Sequence, residues 1–299
     1  MIDCHAHVVV PGLGAEVAWD ERGQVVTLDG RSIRAAVREF CDLGRILEEQ
    51  DATGVDRIVL CPWVNLLDRE PERQNEALAG LAGPRVSVLG TASLDRPDDL
   101  RALMADGRLA GVEIRARNDG LYLGDERFRD FWAAAEETGA LVFVHPTTKG
   151  LGDPVFEQHY LWNTVANPLE TTITAAHMVM SGVPDEHPGL KLLLAHGGGA
   201  ILALRGRLAH EQSFHAPGRD VLAALRRFVY DTVVHDVELL RALVDFAGAD
   251  RVVVGSDYPF DMGVERPAEI VRAFGLPPED ENAILSGNAE RLLQAGGSS

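Results

Sequence analysis

The chain has 299 residues, 46% hydrophobic and 25% charged, a globular balance that excludes intrinsic disorder. With 28 basic against 46 acidic residues the net charge is -18, a field that repels nucleic-acid backbones and anionic lipid; neither is an expected partner, and an anionic substrate needs local arginines. Cys4, Cys41 and Cys61 form no Cys-x-x-Cys pair and read as free thiols of a reducing, cytoplasmic setting, with no leader pattern at Met1-Ile2-Asp3-Cys4-His5 and no membrane-spanning run.

In chain order, short apolar or β-branched runs predict strands at Ile2 to His7, Arg57 to Pro62, Val86 to Ala92, Gly111 to Ala116, Leu141 to His145, Lys191 to His196, Phe228 to Thr232 and Arg251 to Ser256. Between and after them, apolar residues recurring at three and four predict helices. These run Leu43 to Thr53, Arg73 to Leu81, Asp98 to Ala105, Arg127 to Thr138, Leu169 to Met180, Ala200 to Ala209, Val237 to Ala247 and Pro267 to Phe274. A strand-then-helix order repeated eight times in this length predicts an α/β chain folded as a (β/α)8 TIM-like barrel, one domain over residues 1–299. A doubly wound dinucleotide fold has little support, because Val8-Val9-Val10-Pro11-Gly12-Leu13 stands where a glycine fingerprint belongs.

Two connections are long. Residues 11–33 hold Glu16 to Trp19 and Gln24 to Leu28 around Asp20-Glu21-Arg22-Gly23, which predicts a small β-hairpin inserted after strand one. Residues 146–168, after strand five, carry His159, Tyr160 and Trp162, which either line a pocket or pack as their own small core. Both leave C-terminal strand ends, the face on which barrels place their sites.

His5 and His7 are two apart on a strand, so both imidazoles share one face. His145, His196 and Asp257 likewise end predicted strands, so five polar groups converge on one barrel mouth. Each alone reads equally as a hydrogen-bonded strand-end residue; together they point to a divalent metal, since imidazole and carboxylate suit zinc.

The segments Met1-Ile2-Asp3-Cys4-His5-Ala6-His7, Phe143-Val144-His145-Pro146, Leu194-Ala195-His196-Gly197-Gly198-Gly199 and Gly255-Ser256-Asp257-Tyr258-Pro259-Phe260 resemble the amidohydrolase superfamily. Within it the chain is most similar to the aminocarboxymuconate-semialdehyde decarboxylase branch, including Glu170-Thr171-Thr172-Ile173 and Val234-His235-Asp236. The resemblance implies one metal ion, zinc by preference with manganese as the alternative, held by His5, His7, His145 and Asp257. It implies a general acid/base role for His196 beside the metal, and substrate carboxylates held by Arg34, in the loop before the first helix, and Arg207, the latter reaching across a homodimer. Strand four, Glu113-Ile114-Arg115-Ala116-Arg117-Asn118, lacks the lysine of two-metal relatives, so one metal per chain is expected, although Glu113 is chemically able to bridge.

The chain departs from the branch at Thr147-Thr148-Lys149 and at Arg115 and Arg117, which puts the substrate in question. The expected activity is metal-dependent, non-oxidative decarboxylation of an unsaturated or aromatic carboxylic acid. The alternative is a hydrolase or hydratase acting on a related acid or lactone at the same metal. Gly197 to Gly199 lack the Lys-Ser/Thr of a phosphate loop and are expected to permit close backbone approach instead.

Overall fold

A computed structural model describes residues 1–10, 12–13, 15–20, 23–28, 31–37, 42–147, 150–215, 218–273 and 275–294, with backbone alone at 15–20, 23–26, 28 and 31–37. The strands are β1 Ile2–Val8, β2 Ala15–Asp20, β3 Gly23–Leu28, β4 Arg31–Val37, β5 Arg57–Pro62, β6 Val86–Thr91, β7 Gly111–Arg115, β8 Arg117–Asn118, β9 Leu121–Tyr122, β10 Leu141–His145, β11 Lys191–Leu194, β12 Val229–Asp231 and β13 Val252–Val253. Eight of them form one parallel sheet in the order β1-β5-β6-β7-β10-β11-β12-β13. The sheet curls into a TIM-like barrel because β1 also bonds to the chain after β13: Cys4 N donates to Val254 O at 2.8 Å and His7 N to Tyr258 O at 2.8 Å.

Helices cover the outside: α1 Leu43–Thr53, α2 Pro71–Ala79, α3 Pro97–Asp106, α4 Arg129–Thr138, α5 Asn167–Ser181, α6 Val183–Glu186, α7 Ile201–His215, α8 Val221–Leu225, α9 Val237–Ala247, α10 Pro267–Arg272, α11 Pro278–Asn282 and α12 Asn288–Leu293. Helix α1 starts and stops where its residues require. The Asp42 carboxylate accepts from Gly44 N at 2.9 Å and Arg45 N at 3.3 Å, and Gly54 takes the left-handed conformation (φ 78°) that ends it. With helices outside and side chains packed within, Leu141 to Val144 are buried on both faces, which is why that strand reads as a continuous apolar run. None of the helices among the described residues is long and apolar enough to cross a membrane.

The insertion after β1 differs from expectation. It is a three-stranded antiparallel sheet, β2-β3-β4, extending to Val37 rather than a two-stranded hairpin ending near residue 33. The two-stranded hairpin of this fold instead follows the fourth barrel strand, where β8 and β9 pair around Asp119 and Gly120, both at positive φ (48° and 81°). An Asp-Gly pair takes that turn readily, so the local signal for it lies in Asn118-Asp119-Gly120. The last barrel strand is also shorter than Arg251 to Ser256, because Val254 to Asp257 bond irregularly to β1 instead of continuing a ladder.

Candidate metal centre at the barrel mouth

His5 and His7, on one face of β1, reach the barrel axis and are fully buried. Their Nε2 atoms lie 3.2 Å apart, and Asp257 Oδ1 is 3.2 Å from the first and 3.3 Å from the second. His145, ending β10, completes the group: one donor atom from each of the four residues lies within 4.8 Å of every other. His145 Nε2 and Asp257 Oδ1 are buried without a hydrogen-bond partner, whereas His145 Nδ1 is 2.9 Å from Pro146 O. Donor edges of 3.2–3.3 Å are those of ligands about 2.0–2.1 Å from a shared centre, and two unspent buried atoms need such a centre. The residues fit one divalent cation, and no other such cluster occurs among the described residues.

The electrostatics of Asp257, His145 and His7 agree with that donor set, whereas His5 holds a proton that a bound cation would have to displace. Burial opposes ionisation of Asp257, but the charge of His5 and the close imidazoles of His196, His5 and His7 hold it well below the usual carboxylate value. Burial, then the neighbouring His7, His5 and His196, hold His145 well below the ordinary imidazole value, leaving a neutral ring with a free lone pair. Burial followed by the His5 charge lowers His7 as well. Burial also opposes charge on His5, but Asp257 and Asp231 outweigh it and push its pKa up to about 10.

Asp231 escaped the sequence reading. It ends β12, fully buried, and its Oδ2 lies 2.6 Å from His5 Nδ1, so it fixes the ring with Nε2 facing the cluster. The same carboxylate accepts from His196 N at 3.0 Å and Gly197 N at 2.8 Å, holding His196 at φ 57°. Asp257 has a similar left-handed backbone, at φ 56°. Such conformations cost roughly 1–3 kcal/mol each away from glycine and persist where neighbours pin them. For Asp257 the pin is Asp3, which accepts from Ser256 N at 3.0 Å and from the Ser256 hydroxyl. A carboxylate closing the apolar run Phe228-Val229-Tyr230 was the available signal for Asp231. Asp231→Asn is expected to weaken metal binding by about 10- to 100-fold while leaving the fold intact, as chelator competition would measure; unchanged affinity would remove Asp231 from the site.

Two glycines are set by contact. A Cβ on Gly255 would lie 2.9 Å from His5 Cβ and 3.0 Å from Asp231 Cβ, and one on Gly199 would lie 2.0 Å from Pro168 O. The glycine run after His196 thus serves close approach of backbone to α5.

His196 stands beside the cluster, its Nε2 3.5 Å from Asp257 Oδ2, whereas His5 and His7 address Oδ1. Glu113 lies deeper in the barrel, fully buried, with Oε2 4.0 Å from His7 Nδ1 and Oε1 3.9 Å from His145 Nδ1. Burial pushes its pKa well above the usual carboxylate value. Arg34 is not in a loop, as its sequence position suggested, but in strand β4; its side chain falls outside the described residues. Arg207 lies on α7, exposed and away from the described cluster's contacts, with no ion pair among the described residues. In the long connection after β10, Tyr160 packs edge-on to Trp162, and its hydroxyl donates to Asp261 at 3.0 Å, tying that connection to the loop after Asp257. His235 and His177 are exposed, the latter stacked on Tyr122, and neither joins the cluster.

Comparisons with known proteins agree with this architecture. A 2-amino-3-carboxymuconate-6-semialdehyde decarboxylase of Dictyostelium discoideum is 31% identical over 65% of this chain and 56% of its own length, so the chain matches little more than half of that relative. A 6-methylsalicylic acid decarboxylase of Penicillium expansum is 30% identical over 73% of each chain. Among solved structures, the 5-carboxyvanillate decarboxylase of Novosphingobium aromaticivorans, complexed with manganese and 4-hydroxy-3-methoxy-5-nitrobenzoic acid, superposes with a TM-score of 0.80 at 19% identity, covering 98% of this chain and 95% of that one. The amidohydrolase family pattern matches residues 2–295, nearly the whole chain, and the protein belongs to that family.

Proposed function

We propose that residues 1–299 act as one metal-dependent barrel domain that decarboxylates an aromatic or unsaturated carboxylic acid without an oxidant. The observation that carries this reading is the buried His5, His7, His145 and Asp257 cluster with His196 at its edge, in a family whose similar members are decarboxylases. Zinc is the preferred ion, because three of the four donors are imidazole nitrogens; manganese, held by the similar carboxyvanillate enzyme, is the alternative. A divalent ion bound there supplies Lewis acidity toward substrate oxygens.

The protein's own residues do the rest. When a carboxylate leaves as carbon dioxide, the electrons of the broken carbon–carbon bond stay on the substrate, and that carbon must gain a proton. His196 Nε2 and Asp257 Oδ2, 3.5 Å apart at the mouth, are the groups placed to hold and deliver it. Arg34 and Arg207 orient the anionic substrate, a need made acute by the net charge of -18. The buried free thiols Cys4 and Cys61 fit a reducing, cytoplasmic setting. Incubating the metal-loaded protein anaerobically with a panel of aromatic and unsaturated acids should release carbon dioxide from at least one. Hydrolysis or hydration without carbon dioxide would overturn the assignment.

The second arginine points to a homodimer. Leu204, Arg207, Glu211 and Phe214 follow one another at three- and four-residue spacing along α7, and Leu204 and Phe214 are 38% and 67% exposed. An unpaired guanidinium flanked by exposed apolar side chains suits burial against a second copy, with Arg207 entering the partner's site. Mixing a His196→Ala protein with an Arg207→Ala protein should restore part of the activity, because a mixed dimer contains one site with both groups. Monomeric behaviour at working concentration, or no recovery after demonstrated subunit exchange, would sink the shared site.

A further inference from the structure

We infer that the cleft between the mouth ends of β6 and β7 is a substrate-specificity subsite, in which Arg115 binds an anionic substituent other than the carboxylate that departs. The inference rests on the decarboxylase reading of the neighbouring centre. Strand register carries it first. Arg115 pairs directly with His145 across β7 and β10, and in a parallel pair neighbouring residues project to the same face of the sheet. Arg115 therefore faces the lumen beside a residue of the metal cluster, one pleat nearer the mouth than Glu113.

A cavity of about 230 Å³ opens at this place, lined by Asp68, Thr91, Ser93, Glu113, Arg115 and Asn118 among others. Its lining includes Glu113, two residues before Arg115 on β7, whose carboxylate is itself fully buried behind the wall. Glu113 lies about 4 Å from the rings of His7 and His145, so that one residue separates the cavity from the cluster.

Arg115 is held in place without being used up. One nitrogen donates to Val64 O at 2.9 Å and another to Asp68, whose side chain is 76% exposed. An ion pair to so exposed a carboxylate is weak, and a substrate anion entering the cavity exchanges for Asp68 at little cost. The Val64 contact keeps the guanidinium aimed during that exchange, leaving its other edge for a bidentate partner. Arg96 also lines the cavity but pairs with Asp99 at 2.9 Å, and the acidic neighbours Asp68 and Glu113 leave Arg115 as the group that decides whether an anion is accepted.

The test uses two acids that differ by one carboxylate: hydroxyisophthalate, with its hydroxyl meta to both carboxylates, and meta-hydroxybenzoate. Calorimetric titration of the metal-loaded protein should show the dicarboxylate binding about tenfold more tightly. Arg115→Gln should erase that preference while changing the affinity for meta-hydroxybenzoate less than about twofold, and Arg115→Lys should keep part of it. Asp68→Asn should tighten the dicarboxylate alone, a gain that a merely structural arginine would not produce. Full metal content in each variant shows that the centre is intact. No preference in the parent protein, a preference that survives Arg115→Gln, or equal weakening of both acids would overturn the subsite. Because binding is read directly, failure of the carbon dioxide assay would count against the decarboxylase reading and leave this result to stand or fall separately.

Discussion

Asp257→Ala should strip the protein of its metal and its turnover together. Asp257 is the sole carboxylate of the four-residue cluster, and its Oδ1 lies 3.2 and 3.3 Å from the two β1 imidazoles. Without it three imidazoles remain, and no anionic donor is left to touch the ion they would hold. Loss of a group that merely orients a ligand costs about 10- to 100-fold in metal affinity, so loss of a direct anionic donor should exceed about 100-fold. His5→Ala should do the same for a second reason: it leaves Asp231, fully buried, without the imidazole 2.6 Å away. Asp231 keeps its backbone donors at His196 and Gly197 but loses its charged partner, and breaking a buried pair costs about 3–5 kcal/mol, so this variant should also melt earlier than Asp257→Ala. Elemental analysis, carbon dioxide release and thermal unfolding read the three effects. Stoichiometric metal in Asp257→Ala would exclude it as a donor.

His196→Ala should behave in the opposite way, retaining the metal while losing turnover by roughly 10²- to 10⁴-fold. The distinction comes from which oxygen each group addresses. His5 and His7 face Asp257 Oδ1, whereas His196 Nε2 faces Oδ2 at 3.5 Å and lies outside the four-donor group. It therefore shares the carboxylate without sharing the ion, the position expected of a proton carrier. Its main chain is fixed by Asp231 through a hydrogen bond that needs no imidazole, so the substitution leaves the loop in place. Turnover within a few-fold of the parent would remove His196 from the reaction. Loss of metal would make it a ligand instead.

These two outcomes differ although both residues follow the C-terminal ends of barrel strands, β13 and β11, and both stood out in the sequence for that reason. Alternation along a strand assigns each side chain to a face, and a polar residue closing an apolar run marks the mouth of a parallel barrel. His5, His7, His145, His196 and Asp257 carried that mark, and so did the eight strand-then-helix units. The Asp42 and Asp236 caps and the Gly54 stop likewise delimit their helices by local chemistry alone.

What local pattern does not contain is the partner. Asp231 acquires its role by meeting His5, 226 residues earlier in the chain, and that meeting exists only once β12 and β13 curl back toward β1. Closure also ended the regular ladder at Val253, since the residues after it bond to an irregular stretch of β1. Arg115 read as a departure from a pattern until its register with His145 placed it on the lumen face beside the cluster. The sheet after β1 shows the same limit. Two of its strands were legible as a hairpin, but the third, holding Arg34, became a strand by pairing with β3, because extended backbone needs a neighbour to satisfy its hydrogen bonds. Sequence by itself determined which residues face the barrel mouth, a consequence of strand periodicity; the tertiary structure decided which of them touch, because distance across a closed barrel is set by register and closure rather than by spacing along the chain.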